Sequence, residues 1–174
     1  MKIFNQDLNT LERRLADYYS LPLDKRQFSG SYELSEENKE RVIDDKNRIV
    51  IPAEIRKVVR NIQGDSRIIA LTLSSYSGKP AIEFMPEIVY CERAYHVQET
   101  GDQQIQYFFG SKYLIREYDK SGRMVVPPQL RGQSQLVEGN LVNIFGNARS
   151  FLAYGTPVEH IEPEDFIKNA IDLR

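Results

Sequence analysis

The chain has 174 residues, 41% hydrophobic and 28% charged, the composition of a globular protein long enough for one ordinary domain or two small ones. No run approaches the roughly 18 apolar residues of a membrane span, the opening MKIFNQDLNTLERR has no secretory apolar core, and a lone cysteine, Cys91, excludes an internal disulfide. A net charge of −2 excludes coating of nucleic acid by global positive charge, yet leaves local basic faces open.

These limits predict a cytoplasmic protein with no membrane partner. His96 and His160 lie far apart without neighbouring Cys or carboxylate motifs, so no metal site is expected. In chain order, residues 1–27 predict an N-terminal helical extension. Asn9 followed by Glu12 reads as its start, Leu8, Leu11, Leu15 and Tyr18 or Tyr19 as its apolar stripe, and Pro22 as its stop. A short docking helix is the expectation. Residues 31–41, SYELSEENKER, are polar and acidic and read as a solvated loop or mobile insert.

Residues 28–86 and 111–157 carry an internal repeat. At a constant offset of 75, Asp44, Arg48, Val50, Pro52 and Arg56 recur as Asp119, Arg123, Val125, Pro127 and Arg131. Ile49, Ile51 and Ile55 are answered by Met124, Val126 and Leu130, and Gly64 by Gly139. In each copy an apolar strand end, Val42-Ile43 or Tyr113-Leu114-Ile115, runs into a charged turn and a three-residue apolar run. Asn47 and Gly122 share one slot, and both residue types tolerate a left-handed backbone, so that slot is predicted to have φ > 0. The proline then stops the ladder and starts a short helix, 53–59 in the first copy and 128–131 in the second.

A hairpin closes each unit, 67–73 with 80–85 and 140–145 with 150–154. Residues 87–110 between the copies predict a linker of two helices around Thr100-Gly101-Asp102, with Ile88, Cys91 and Tyr95 on an apolar stripe. Residues 158–174 predict a last helix with Phe166, Ile167, Ala170 and Ile171 inward. The repeated segments are the basic ones. Residues 44–60 hold five Lys and Arg against three acids and 112–131 five against two, whereas 159–174 hold two against five.

The pattern D-x-x-x-R, three apolar residues, P, three residues, R resembles the SpoVT/AbrB swapped-hairpin family of bacterial DNA-binding modules. Two copies in one chain, with YFFG at Tyr107 to Gly110 and Phe28-Ser29-Gly30 ahead of the first, resemble the MraZ family in particular. The resemblance covers residues 28–157. It implies a mainly β protein with short helices (α+β): two tandem AbrB-like swapped-hairpin repeats forming a pseudo-dimeric β-barrel, with a helical linker and here an extra N-terminal helix. It also implies rings of several chains and a nucleoid-associated transcriptional regulator. Such a regulator binds short G-rich direct repeats of double-stranded DNA in the promoter of a division and cell-wall gene cluster. The chain departs from the family in having Asn47 in place of the motif glycine, a longer acidic link before Asp44, and the first 27 residues.

Carried onto this sequence, the reading turns are Asp44 to Arg48 and Asp119 to Arg123. Arg48 and Arg123 suit guanine, whose O6 and N7 acceptors match the guanidinium fork. Lys46 and Lys120 suit phosphates, which position without specifying. Asp44 and Asp119, with Asn47 and Gly122, would brace the turns. Arg56 and Arg131 divide between phosphate contact and helix-end structure. The plainer alternative is a cross-turn ion pair that only secures each hairpin. Tyr107, Phe108 and Phe109 read as core or subunit contact, with base stacking as a further use.

Few contacts per turn call for multivalency, so a homo-oligomeric ring is part of the expected mechanism. A second reading is an AbrB-like antitoxin whose acidic tail, 159–174, wraps a toxin. No catalytic constellation can be assembled, so no enzyme activity, cofactor or small-molecule substrate is expected.

Overall fold

The computed structural model describes residues 6–32 and 42–157. Most of the acidic insert and the whole C-terminal segment 158–174, with the expected last helix and antitoxin-like tail, lie outside the described residues. Among the described residues, no helix is long and apolar enough to cross a membrane.

Helix α1 spans Leu8–Ser20 and is followed by a single turn, α2, Leu23–Arg26. The N-cap of α1 is Asp7 rather than Asn9. Its carboxylate accepts the Thr10 N–H at 2.8 Å and the Thr10 hydroxyl at 3.1 Å, satisfying a donor that no helical carbonyl can reach. Leu11 and Tyr18 are buried, while Leu8 and Tyr19 stay exposed.

The first repeat supplies strand β1 (Arg48–Val50), helix α3 (Ala53–Gln63) and the hairpin β2 (Ile68–Tyr76) and β3 (Lys79–Pro86). The linker forms α4 (Glu87–Glu99) and α5 (Gln103–Lys112). The second repeat supplies β4 (Leu114–Glu117), β5 (Arg123–Val125), α6 (Pro128–Ser134), β6 (Leu141–Asn147) and β7 (Ser150–Thr156). Among the described residues, six helices and antiparallel sheets make a mixed fold in which helical residues outnumber strand residues, so this part is not mainly β. The helices outrun their predicted ends. Ile55, Val59 and Ile62 continue one buried stripe of α3 until Gly64, at φ +64°, stops it. Helix α6 runs on to Ser134 and is stopped by Gln135, at φ +58°.

The strands form a five-stranded sheet, ordered β4-β2-β3-β7-β6, and a separate ribbon, β1-β5. The copies interleave. Strand β4 of the second copy pairs with β2 of the first, and the Tyr118 N–H donates to the Arg67 carbonyl at 3.2 Å. On the other side Val42 bridges Leu141, and the Ile43 N–H donates to the Asn140 carbonyl at 3.0 Å.

The expected closed barrel is absent among the described residues: the sheet ends at β4 and β6, and the ribbon stands apart from it. The prolines give the reason. Pro52 and Pro127 follow the third ribbon position by two residues, carry no N–H to extend the ladder, and send the chain into α3 and α6. Segment 28–32 covers the β6 edge, with the Tyr32 N–H on the Ile144 carbonyl at 2.9 Å and the Gly146 N–H on the Gly30 carbonyl at 2.8 Å. A Cβ at Gly146 would sit 2.3 Å from the Ser29 nitrogen, so only glycine admits this approach.

The apolar core runs between these layers. Phe84 stacks on Phe151 at 5.0 Å, Phe28 packs against Phe151 at 5.5 Å, and Ile49, Ile51, Ile55, Met124 and Val126 are fully buried beneath the ribbon. Each such side chain contributes roughly 1.5–3 kcal/mol. Helix α4 adds Ile88, Val89 and Cys91, with two buried acids. Glu87 accepts from Ser66 at 2.6 Å and Arg14 at 3.2 Å, and Glu92 pairs with Arg149, which also donates to the Tyr18 hydroxyl at 3.3 Å. These pairs fasten α1 and the β6–β7 turn to α4, and removal of either arginine would strand a buried carboxylate.

Candidate nucleic-acid interface

Both turns share one pattern of backbone hydrogen bonds. The Asp44 Oδ1 accepts the N–H groups of Lys46 at 3.0 Å and Arg48 at 2.8 Å, and the Asp44 carbonyl accepts the Asn47 N–H at 2.9 Å. The Asp119 Oδ1 accepts the N–H groups of Ser121 and Arg123, both at 2.9 Å, and the Asp119 carbonyl accepts the Gly122 N–H at 2.9 Å. An aspartate at the first position is thus what closes a five-residue turn. Asn47 at φ +54° and Gly122 at φ +82° occupy the left-handed slot that their residue types predicted.

Asn47 does more than tolerate its backbone. Its Oδ1 accepts the Glu138 N–H at 3.1 Å, tying the first turn to the loop after α6 in the other copy, which glycine could not do. Asn47→Val should therefore strain the left-handed slot and remove that bond, lowering stability by about 1–3 kcal/mol and, on the expectation that the turns read a duplex, weakening that binding with no change in charge. Chemical denaturation and a gel shift on the same preparation check both effects.

The turns meet in the ribbon. Arg48 pairs with Val125, Ile49 with Met124 and Val50 with Arg123, so the exchange of the two copies maps the ladder onto itself. The Ile51 N–H donates to the Gly122 carbonyl at 2.8 Å, and the Val126 N–H to the Asn47 carbonyl at 2.9 Å. Alternation puts Ile49 and Met124 in the core and leaves Arg48, Val50, Arg123 and Val125 on the outer face. The two arginines lie diagonally across the ribbon, roughly 7–8 Å apart at the backbone. Lys46 and Lys120 are exposed at its opposite ends.

The copies differ in their ion pairing. Arg48 Nε donates to the Asp44 Oδ2 at 2.7 Å, the cross-turn pair of the plainer reading. Arg123 is exposed and makes no such pair among the described residues. Burial pushes the Asp44 carboxyl up, yet the Arg48 N–H, the Arg48 guanidinium and the Lys46 N–H together outweigh it and hold the carboxyl below its usual 3.8. A lowered folded value means the bracing is present above the unfolded value and is lost only as pH falls through the folded one, so the turn stays braced at neutral pH.

Arg56 and Arg131 sit beneath the turns. Their Nε atoms donate to the carbonyls of Ile51 at 3.1 Å and Val126 at 2.6 Å, the strand ends before each proline. The Arg56 side chain also lies against Gly122, where a Cβ would come 2.7 Å from its Nε. Helix-end structure accounts for these bonds, with the outer guanidinium nitrogens left over for a phosphate.

Of the remaining candidates, Cys91 is buried and burial pushes its thiol up to about 12, so it stays protonated and unreactive. His96 is exposed beside Glu92 and Glu99. No three His, Cys, Asp or Glu side chains converge on a metal position among the described residues. Phe109 packs on Tyr90 and Tyr113, but Tyr107 and Phe108 are 80% and 67% exposed, so this triplet is not core as a whole. Two features have no counterpart in the sequence-based expectations: the Asn47–Glu138 bond and the gathering of Arg60 and Arg67 near the second turn. A basic spacing of four on α3, Arg56 and Arg60, is the available signal for the latter.

No family model matches the chain, and no curated protein matches it in sequence.

Proposed function

We propose that this protein is a sequence-specific DNA-binding transcriptional regulator of the kind the MraZ family represents, with its two repeats acting as swapped hairpins. The observation that carries the reading is the β1-β5 ribbon, which sets two copies of one Asp-braced turn in antiparallel register with Arg48 and Arg123 outward. The major groove of B-DNA admits a two-stranded ribbon, and arginine is its commonest reader of guanine. Lys46 and Lys120 at the two ends would meet phosphates on either side of the groove.

The interleaving of β4 with β2 and of Val42 with β6 supports the swapped-hairpin reading, since neither copy completes its sheet alone. One ribbon offers few contacts. Several chains on consecutive G-rich repeats would raise effective concentration without any new contact, which is the proposed use of a ring. A gel shift against the DNA upstream of the protein's own coding sequence, repeated at several salt concentrations, tests the reading. The expected result is retention that depends on the G-rich repeats and falls steeply with salt. Equal retention of scrambled DNA would refute sequence-specific reading.

A further inference from the structure

Beside the second turn lies a cleft of about 360 Å³ of which the ribbon reading uses only the rim residue Lys120. Its walls carry Arg56 and Arg60 from α3, Arg67 from the edge of β2, Lys120 from the turn and the buried Tyr118, against one carboxylate, Asp65. Arg67 is partly spent, with Nε on the Tyr118 carbonyl at 2.9 Å and a terminal nitrogen on the exposed Glu117 at 3.1 Å. Arg56 spends its Nε on Ile51. The Arg60 and Lys120 side chains, both exposed, make no hydrogen bond or ion pair among the described residues. Burial pushes the Tyr118 phenol up while Arg56, Arg67 and Arg60 pull it the other way, so the hydroxyl stays a donor at neutral pH.

The scaffold does not require this cluster. At the offset of 75, Arg60, Tyr118 and Lys120 correspond to Gln135, Ile43 and Asp45, so the other copy builds the same helix and turn with Arg131 as the one counterpart of these cations. Four cations facing one space repel one another when it is empty, and an anion of high charge density removes that repulsion. The volume is near the low end of small-molecule sites, roughly 300–1,000 Å³.

We propose that this cleft is a phosphate-binding site, with Arg60 and Lys120 as the free cations that recruit a polyanionic phosphorylated group and Arg56, Arg67 and Tyr118 as the donors that orient it. Two sources share this chemistry: a free phosphorylated small molecule, or the phosphodiester backbone of a duplex held by the turns. The second source alone depends on the regulator reading.

Tripolyphosphate is the probe, with sodium sulfate at equal ionic strength as the control, read by thermal unfolding of the full chain. A free-ligand site predicts a rise in Tm of roughly 5–10 °C at about 100 times Kd. That rise should disappear in Arg60→Gln with Lys120→Asp, which installs the residues the other copy carries, and persist in Lys57→Gln, an exposed change outside the cleft. A backbone site predicts no such rise. Instead Arg60→Gln alone should flatten the dependence of log K for duplex on log salt by about 0.9, the value of one lost phosphate contact. Arg60 is used alone because Lys120 reaches DNA from the turn itself. A tripolyphosphate effect indifferent to both cleft substitutions, or no effect in either arm, overturns the proposal. Failure of the wild-type protein to bind any duplex would refute the regulator reading and leave the tripolyphosphate arm to decide the cleft.

Discussion

Arg48→Ala combined with Arg123→Ala is expected to weaken binding to a G-rich repeat by about 30-fold to 10⁴-fold, since each bidentate arginine–guanine pair contributes about 1–3 kcal/mol of discrimination. Binding to unrelated duplex should change far less, because Lys46 and Lys120 keep their charge. The fold should survive. Both side chains stand on the solvent face of the ribbon, while the buried faces of β1 and β5, Ile49 and Met124, are untouched. Arg48 gives up its pair with Asp44, but that pair is about 30% exposed on each side and contributes no more than about 1 kcal/mol. Asp44 keeps the two backbone N–H groups that brace the turn. The single variants should differ. Arg123 is free to enter a groove, whereas Arg48 must be shared with Asp44, so Arg123→Ala should be the more damaging. Fluorescence anisotropy with matched and scrambled duplexes, beside a melting curve, separates loss of reading from loss of folding. Unchanged discrimination in the double variant would mean that the ribbon does not read DNA.

Gly155→Ala should be the most destabilising of the glycine-to-alanine changes, because it meets the closest backbone clash. A Cβ there would lie 1.7 Å from the carbonyl oxygen of Gln135 and 2.4 Å from its carbon, and both are backbone atoms that no rotamer change can move. Gln135 is the left-handed stop of α6, held where Ser134 and Leu136 are buried, so relief requires α6 to lift off β7. A loss of about 3 kcal/mol or more is expected, or roughly 6–12 °C in Tm for a domain of this size. Gly132→Ala, inside α6 with nothing within 4 Å of the new methyl, is the matched control and should raise stability by about 0.5–1 kcal/mol. Equal behaviour of the two variants in chemical denaturation would contradict the close packing of β7 on α6.

The turns are legible in the sequence because their chemistry is local. Asp44 and Asp119 reach N–H groups two and four residues on, Asn47 and Gly122 hold the left-handed slot, and Pro52 and Pro127 end the strand, all within nine residues. The helix ends are less legible. Helix α1 starts at Leu8 because Asp7 caps it by accepting the free Thr10 N–H, ahead of the later Asn9 and Glu12, and α3 outruns its predicted end because Ile62 extends a stripe that looks complete at Val59. Among the linker aromatics, periodicity alone does not tell that Phe109 turns inward while Tyr107 and Phe108 face out.

The repeat and its arginines stand in the residue order itself, and the two braced turns and the sign of φ at their tips follow from it because their hydrogen bonds close within a few residues. Which copy's strand lies on which hairpin, the open sheet among the described residues, and the meeting of Arg56, Arg60, Arg67 and Lys120 at one cleft follow from the packed chain alone. Those outcomes depend on pairing between segments about a hundred residues apart, such as Val42 with Leu141. There the choice among partners is made by shared burial and by the loss of backbone donors at the prolines, and no local window of residues contains that information.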